Sequence, residues 1–145
     1  MTLSIHTEIL IHAPATTIWK ILTNFPAYPQ WNPFIKSITG LVQEGQNIKV
    51  IIQSKPSKQM TFKPLVLKFI ENEELSWQGK LLLRGIFDGI HNFELIEHTN
   101  GTTTFIQSES FSGLLVPVFA SKLKTDTQNG FEAMNKKLKR LAEHE

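Results

Sequence analysis

From about Leu114 to Glu145 the chain returns apolar or small residues to one side at helical spacing: Val116, Phe119, Ala120, Leu123, Thr127, Gly130, Phe131, Met134, Leu138 and Leu141. Ser121, Thr125, Gln128, Glu132, Lys136 and Lys139 fall on the other side. The pattern predicts one amphipathic helix, roughly 40 Å long at about 1.5 Å per residue. Pro117 stands near its start, where a missing N–H is tolerated, and Lys136, Lys137, Lys139 and Arg140 crowd the end where cations complement the helix dipole. Thr127 and Gly130 are small where a core helix carries bulk, although a mid-helix glycine costs about 1 kcal/mol relative to alanine. Two causes fit: a strand approaching the helix backbone closely, or a cavity between helix and sheet.

Leu3 to His12 alternates, with Leu3, Ile5, Thr7, Ile9 and Ile11 on one side, which predicts a strand with one apolar face. Pro14 opens a short helix through Asn24 that buries Ile18, Trp19, Ile21 and Leu22. Between Phe25 and Phe34, Pro26, Pro29 and Pro33 forbid a long helix, while Phe25, Tyr28, Trp31 and Phe34 demand a packing partner. One short helical turn and an ordered loop satisfy both demands. Strands follow at Phe34 to Leu41, Gln46 to Gln53, Met60 to Glu71, Leu75 to Arg84, Ile86 to Glu97 and Thr102 to Phe111. Turns fall near Glu44-Gly45, at Lys55-Pro56-Ser57-Lys58 and at Asn72-Glu73-Glu74. Pro64, inside the third of these strands, requires an edge position or a bulge. A strand, two short helices, six strands and a long helix make an α+β fold, an antiparallel sheet whose apolar side needs the last helix.

The composition fits one domain over residues 1–145, with 41% hydrophobic residues. No apolar run reaches the length of a membrane span and the N-terminus has no signal-peptide pattern, so a cytoplasmic protein is expected without integral membrane association. There is no cysteine, which removes disulfide and thiolate chemistry. A net charge of +2 with scattered lysines gives no basis for nucleic-acid binding. Neither a glycine-rich phosphate loop nor a nucleophile elbow nor a zinc motif is present. His6 and His12, six residues apart on one strand, have no compact ligand spacing, so neither metal nor cofactor is expected.

The last hairpin carries the most chemistry because its turn fixes its register. Thr99-Asn100-Gly101 fits a three-residue loop with glycine in the left-handed position. His98 then pairs with Thr102, Leu95 with Phe105, Phe93 with Gln107 and His91 with Glu109. Phe87, Phe93 and Leu95 share a face with Phe105 and Phe111, so His91 and Glu109 meet on the inner, apolar side. Asp88, Asn92, Glu94, Thr104, Ser108 and Ser110 form a polar outer face with Leu82 and Ile90 as isolated exceptions. The histidine–glutamate pair has three readings: a buried pair anchoring the sheet, a polar handle in an apolar pocket, or a general acid–base pair. Trp77, on one face with Leu75, Gly79, Leu81 and Leu83, is core or cavity wall. Trp31 and Phe34 either staple their loop down or form a lid over a pocket mouth.

The segments HAPATTIWKILTNFPAYPQWNPFI, LSWQGKLLLRGIFDGIHNFELIE and GTTTFIQSESFSGLL, followed by the terminal helix, resemble the SRPBCC superfamily, the START or Bet v 1-like helix-grip fold. More narrowly, the chain resembles its small bacterial polyketide-cyclase/dehydrase and lipid-transport group. The resemblance implies a curved antiparallel sheet of seven strands gripping the final helix, with an apolar tunnel between them. It does not settle function, since the scaffold serves lipid carriage, cyclisation and sensing alike.

The leading expectation is therefore binding of a small hydrophobic molecule such as a fatty acid, isoprenoid, quinone or aromatic polyketide. The expected lining is Trp31, Phe34, Trp77, Phe87, His91, Phe93, Phe105, Gln107, Glu109, Phe119, Leu123, Thr127, Gly130 and Phe131. The alternatives are a cyclase or dehydratase using His91 and Glu109 for proton transfer, and a protein-interaction adaptor using the outer sheet face. Oligomeric state is not readable from the pattern.

Overall fold

The N-terminal alternation forms strand β1 (Thr2–Ile11), in which Ile5, Thr7 and Ile11 are buried. In the computed structural model, which describes residues 2–55, 58–80 and 85–144, helix α1 (Ala15–Leu22) follows at once, with Pro14 as its N-cap. A 3-10 turn (Phe25–Ala27) and a single helical turn, α2 (Tyr28–Trp31), accommodate the prolines. Then come β2 (Ile35–Thr39), β3 (Lys49–Lys55), β4 (Lys58–Phe62), β5 (Leu65–Ile70), β6 (Glu74–Lys80), β7 (Asp88–Glu97), β8 (Thr103–Ser112) and the long helix α3 (Val116–Glu143). Residues 56–57 of the expected turn, and residues 81–84 with the face assigned to Leu81 and Leu83 and the outer position of Leu82, lie outside the described residues.

Among the described residues eight strands form two antiparallel sheets, β1-β8-β7-β6-β5 and β2-β3-β4, where seven strands in one sheet were expected. Pro64 is the cause. It divides the predicted Met60 to Glu71 strand into β4 and β5, because a residue without an N–H cannot complete the ladder. The two sheets still touch: Ile48 N donates to Pro64 O at 3.0 Å, Val66 N to Gln46 O at 2.9 Å and Gly45 N to Val66 O at 2.9 Å. The last hairpin has the register that its turn dictates, with His98 N donating to Thr102 O at 2.8 Å and Gly101 at φ +86°. Leu95 opposes Phe105, Phe93 opposes Gln107 and His91 opposes Glu109.

Helix α3 is packed along only a portion of its length. Its buried residues are Val116, then Thr127, Phe131, Met134, Asn135, Leu138 and Ala142. The apolar periodicity continues through Phe119, Ala120 and Leu123, but none of these is buried, and Phe119 is 47% exposed. Leu141, placed inward by the spacing, is also partly exposed, and Ala142 takes the inward place. The C-terminal half lies on β1 and is latched there: Lys139 Nζ donates to Leu10 O at 2.7 Å, and His12 N donates to Glu143 Oε2 at 2.8 Å. The hydrogen bond from Lys139 holds the Glu143 carboxyl below the usual carboxylate range.

A buried polar triangle joins this half of α3 to the sheet. Asn135 Nδ2 donates to Thr7 Oγ1 at 2.9 Å, Thr7 Oγ1 to Gln107 O at 2.8 Å, and Gln107 Nε2 to Asn135 Oδ1 at 2.8 Å. Inside an apolar core each bond fixes one rotation of the helix on the sheet, because a slip strands several polar groups at once. Asn135→Ala strands the Gln107 amide and leaves a small void. Urea unfolding should therefore show a loss of about 2 kcal/mol or more. A loss under about 0.5 kcal/mol, the size of a surface substitution, would show that the triangle does not hold the helix.

Candidate functional site

Where α3 leaves the sheet, the gap between them is open. A cavity of about 300 Å³ lies there, walled by Ile52, Met60 and Phe62 from β3 and β4, by Gly79, Lys80, Gly89, Glu109 and Phe111 from β6, β7 and β8, by Phe87, and by Phe119, Lys122, Leu123, Asp126 and Thr127 from α3. Phe34 completes the lining. Along α3 the wall runs from the exposed Phe119 to the buried Thr127, so the mouth lies at the N-terminal end of the helix and the closed end near Gly130.

The closed end is set by Phe34. Asn32 Oδ1 accepts hydrogen bonds from the backbone N–H groups of Phe34 and Ile35, both at 2.9 Å, which fixes where the loop turns into β2. The ring of Phe34 then lies over Gly130 and meets Phe131 edge-on at 5.5 Å. A Cβ on residue 130 would stand 2.2 Å from that ring. Gly130 is thus neither a strand contact nor missing volume: a phenyl ring fills its place. Below it Tyr28 is fully buried, and its hydroxyl donates to Leu22 O. Burial pushes the phenol far above its ordinary value, so it stays neutral. Trp31 packs edge-on against Tyr28 at 5.3 Å and staples the loop without reaching the cavity wall.

Among the polar groups on the wall, Glu109 is held from behind by a buried histidine. His91 Nδ1 lies 2.9 Å from Glu109 Oε1, and His91 is 1% exposed. Its ring stacks on Trp77 at 4.8 Å and 10°, and meets the edges or faces of Phe93 at 4.5 Å and Phe131 at 5.1 Å. The other ring nitrogen, Nε2, is buried and has no hydrogen-bond partner among the described residues. Glu109 Oε2 has no hydrogen-bond partner among the described residues. It points to the place where Gly89 lacks a side chain: a Cβ there would stand 2.5 Å from Oε2.

The fourteen residues expected to line a pocket therefore divide. Phe34, Phe87, Glu109, Phe119, Leu123 and Thr127 line the cavity. Trp77, Phe93, Phe105 and Phe131 belong to the packed core, with Phe93 and Phe105 stacked at 5.8 Å. His91 reaches the cavity only through Glu109, Gln107 is committed to Asn135, Gly130 is filled by Phe34, and Trp31 staples its loop. Sequence reasoning missed Gly89, Ile52, Met60 and Phe62. The signal for Gly89 was its place beside Gly79, its cross-strand partner, since two facing glycines remove a row of side chains. Among the described residues no cluster of three or more His, Cys, Asp or Glu is placed to hold a metal, and no helix is long and apolar enough to cross a membrane.

The family described as "Polyketide cyclase / dehydrase and lipid transport" matches residues 2–143. The chain belongs to this family. No curated protein sequence matches it. Among solved structures it is similar to the Zhui aromatase/cyclase of Streptomyces sp. R1128, with TM-score 0.75, 12% identity, and coverage of 99% of this chain and 95% of that one. It is also similar to norcoclaurine synthase of Thalictrum flavum, with TM-score 0.74, 15% identity, and coverage of 98% and 94%. A START superfamily protein of Mycobacterium smegmatis gives TM-score 0.71, 21% identity, and coverage of 95% and 98%. At these identities the likeness establishes the START/Bet v 1-like fold.

The seating of Phe34 on Gly130 is testable by a double-mutant cycle. Overpacking makes Gly130→Ala cost about 2 kcal/mol in the wild-type background. In a Phe34→Ala background the same change should stabilise by up to about 1 kcal/mol, through helix propensity alone. Equal effects in both backgrounds, read by urea unfolding, would mean that the ring does not occupy that space.

Proposed function

We propose that this protein binds a small, largely apolar molecule in the cavity between the sheet and the N-terminal half of α3. The observation that carries this reading is the unfilled volume of about 300 Å³ beside a helix face that is apolar in sequence but unburied. Apolar residues left next to empty space are unfavourable unless something occupies it, since burying a Leu or Phe side chain is worth about 1.5–3 kcal/mol. The volume lies at the lower end of ligand pockets, which run to about 1,000 Å³. It suits one or two fused rings or a short branched chain, and is too small for a sterol. Of the fatty acids, isoprenoids, quinones and polyketides that the sequence pattern admits, compact aromatic molecules fit best.

A second reading has one observation in its favour. Glu109 presents a carboxylate oxygen without a partner among the described residues inside a largely apolar cavity and is oriented by His91, an arrangement suited to proton transfer. Cyclase or dehydratase chemistry would then run through Glu109, with His91 positioning it and not touching the substrate. The aromatase/cyclase and norcoclaurine synthase names of two structural neighbours accord with this reading. The adaptor reading has less support: on the outer face Leu10 and Ile96 flank Thr104 in one row, and Ile90 stands apart.

Binding is checked with N-phenyl-1-naphthylamine, whose fluorescence rises in apolar surroundings. The wild-type protein should bind it in the micromolar range, a free energy of about −8 kcal/mol. Leu123→Trp, which fills the cavity from a half-exposed position, should weaken binding at least about tenfold while the urea midpoint stays nearly unchanged. No binding by the wild type, or unaltered binding by the variant, would contradict the assignment.

A further inference from the structure

We infer that the ligand's polar end is a hydrogen-bond donor, a phenol or alcohol, held by Glu109 Oε2, and that carboxylate-ended ligands such as fatty acids are excluded. This inference rests on the cavity reading above and narrows it to a chemical class. Three features build the acceptor. His91 Nδ1 fixes one oxygen at 2.9 Å, and His91 is itself locked by the stack on Trp77. Gly89 leaves the space into which the other oxygen projects, since a Cβ there would stand 2.5 Å away. That oxygen has no hydrogen-bond partner among the described residues, and the Glu109 side chain is 15% exposed, so solvent reaches it.

A ligand that fills the cavity excludes solvent from this oxygen. If it offers a donor, the bond is replaced by a charge-assisted one. Without a donor, the oxygen is left bare in an apolar enclosure, and sites built to bond a substrate hydroxyl reject analogues lacking it strongly. A carboxylate is worse still, since it adds a second acceptor of the same sign. Among the described residues the cations on the wall are Lys80, at the end of β6, and Lys122, on the helix side, while Asp126 adds a further negative group. Both lysines are exposed, so an ion pair at either is weak.

Three probes of equal ring size separate the possibilities by isothermal titration calorimetry at pH 7: 2-naphthol, 2-methoxynaphthalene and 2-naphthoate. We expect naphthol to bind at least about tenfold more tightly than the methyl ether, with naphthoate weakest, as a charge-assisted bond of ordinary strength requires. Glu109→Gln keeps an oxygen for His91 and puts an amide donor on the cavity side. The order of naphthol and naphthoate should narrow or reverse in this variant. Equal affinities for all three probes, or tightest binding of naphthoate, overturn the donor inference and leave the cavity reading standing. Binding of none of the three overturns both. The wild-type ranking decides the matter even if the variant fails to fold.

Discussion

The contact on which the rest of this structure depends is the ring of Phe34 seated on Gly130. The helix gives up about 1 kcal/mol of propensity at Gly130, and in return a phenyl group from the opposite side comes within reach of its backbone. This contact locks the proline-rich loop to the helix and divides the helix–sheet gap into two halves. Toward the C-terminus the gap is filled by Phe131, Met134 and Leu138, and the helix rotation is fixed by the Thr7–Gln107–Asn135 triangle. Toward the N-terminus no described side chain fills it, and the cavity begins where Phe34 ends.

The second constraint comes from the opposite side, in the register of β7 on β8. Because that register opposes His91 to Glu109, a histidine with almost no solvent exposure can orient a carboxylate that does face the cavity. The aromatic walls around His91 supply rigidity rather than binding surface. Three residues thereby build the polar corner of the cavity: the histidine behind, the glutamate in front and the glycine that gives the glutamate room.

What the sequence made legible follows the range of the forces involved. The alternation in β1, the helical period of α3 and the hairpin register depend on neighbours a few residues away, so pattern alone placed them. Pro64 was recognised as an interruption, but whether it would bulge one strand or split the sheet depends on pairing with residues 45–48, far off in sequence. Gly130 is anomalous by helix propensity, but neither cause that the pattern suggests, a close strand or missing volume, is the one found. The ring that fills its place comes from nearly a hundred residues earlier, and no periodicity reports a side chain's destination. The same limit applies to Gln107, whose amide is consumed by Asn135, and to Phe93 and Phe105, whose inward faces pack on each other instead of lining a pocket.

The most direct measurement of this divided gap is a methyl NMR titration with N-phenyl-1-naphthylamine, using protein labelled at Ile, Leu and Met methyl groups. Shifts should centre on Ile52, Met60 and Leu123 around the open half, with Met134, Leu138 and Ile11 in the filled half unmoved. Shifts centred on Met134 and Leu138, or on Leu10 and Ile96 of the outer face, would contradict a cavity that begins where Phe34 ends.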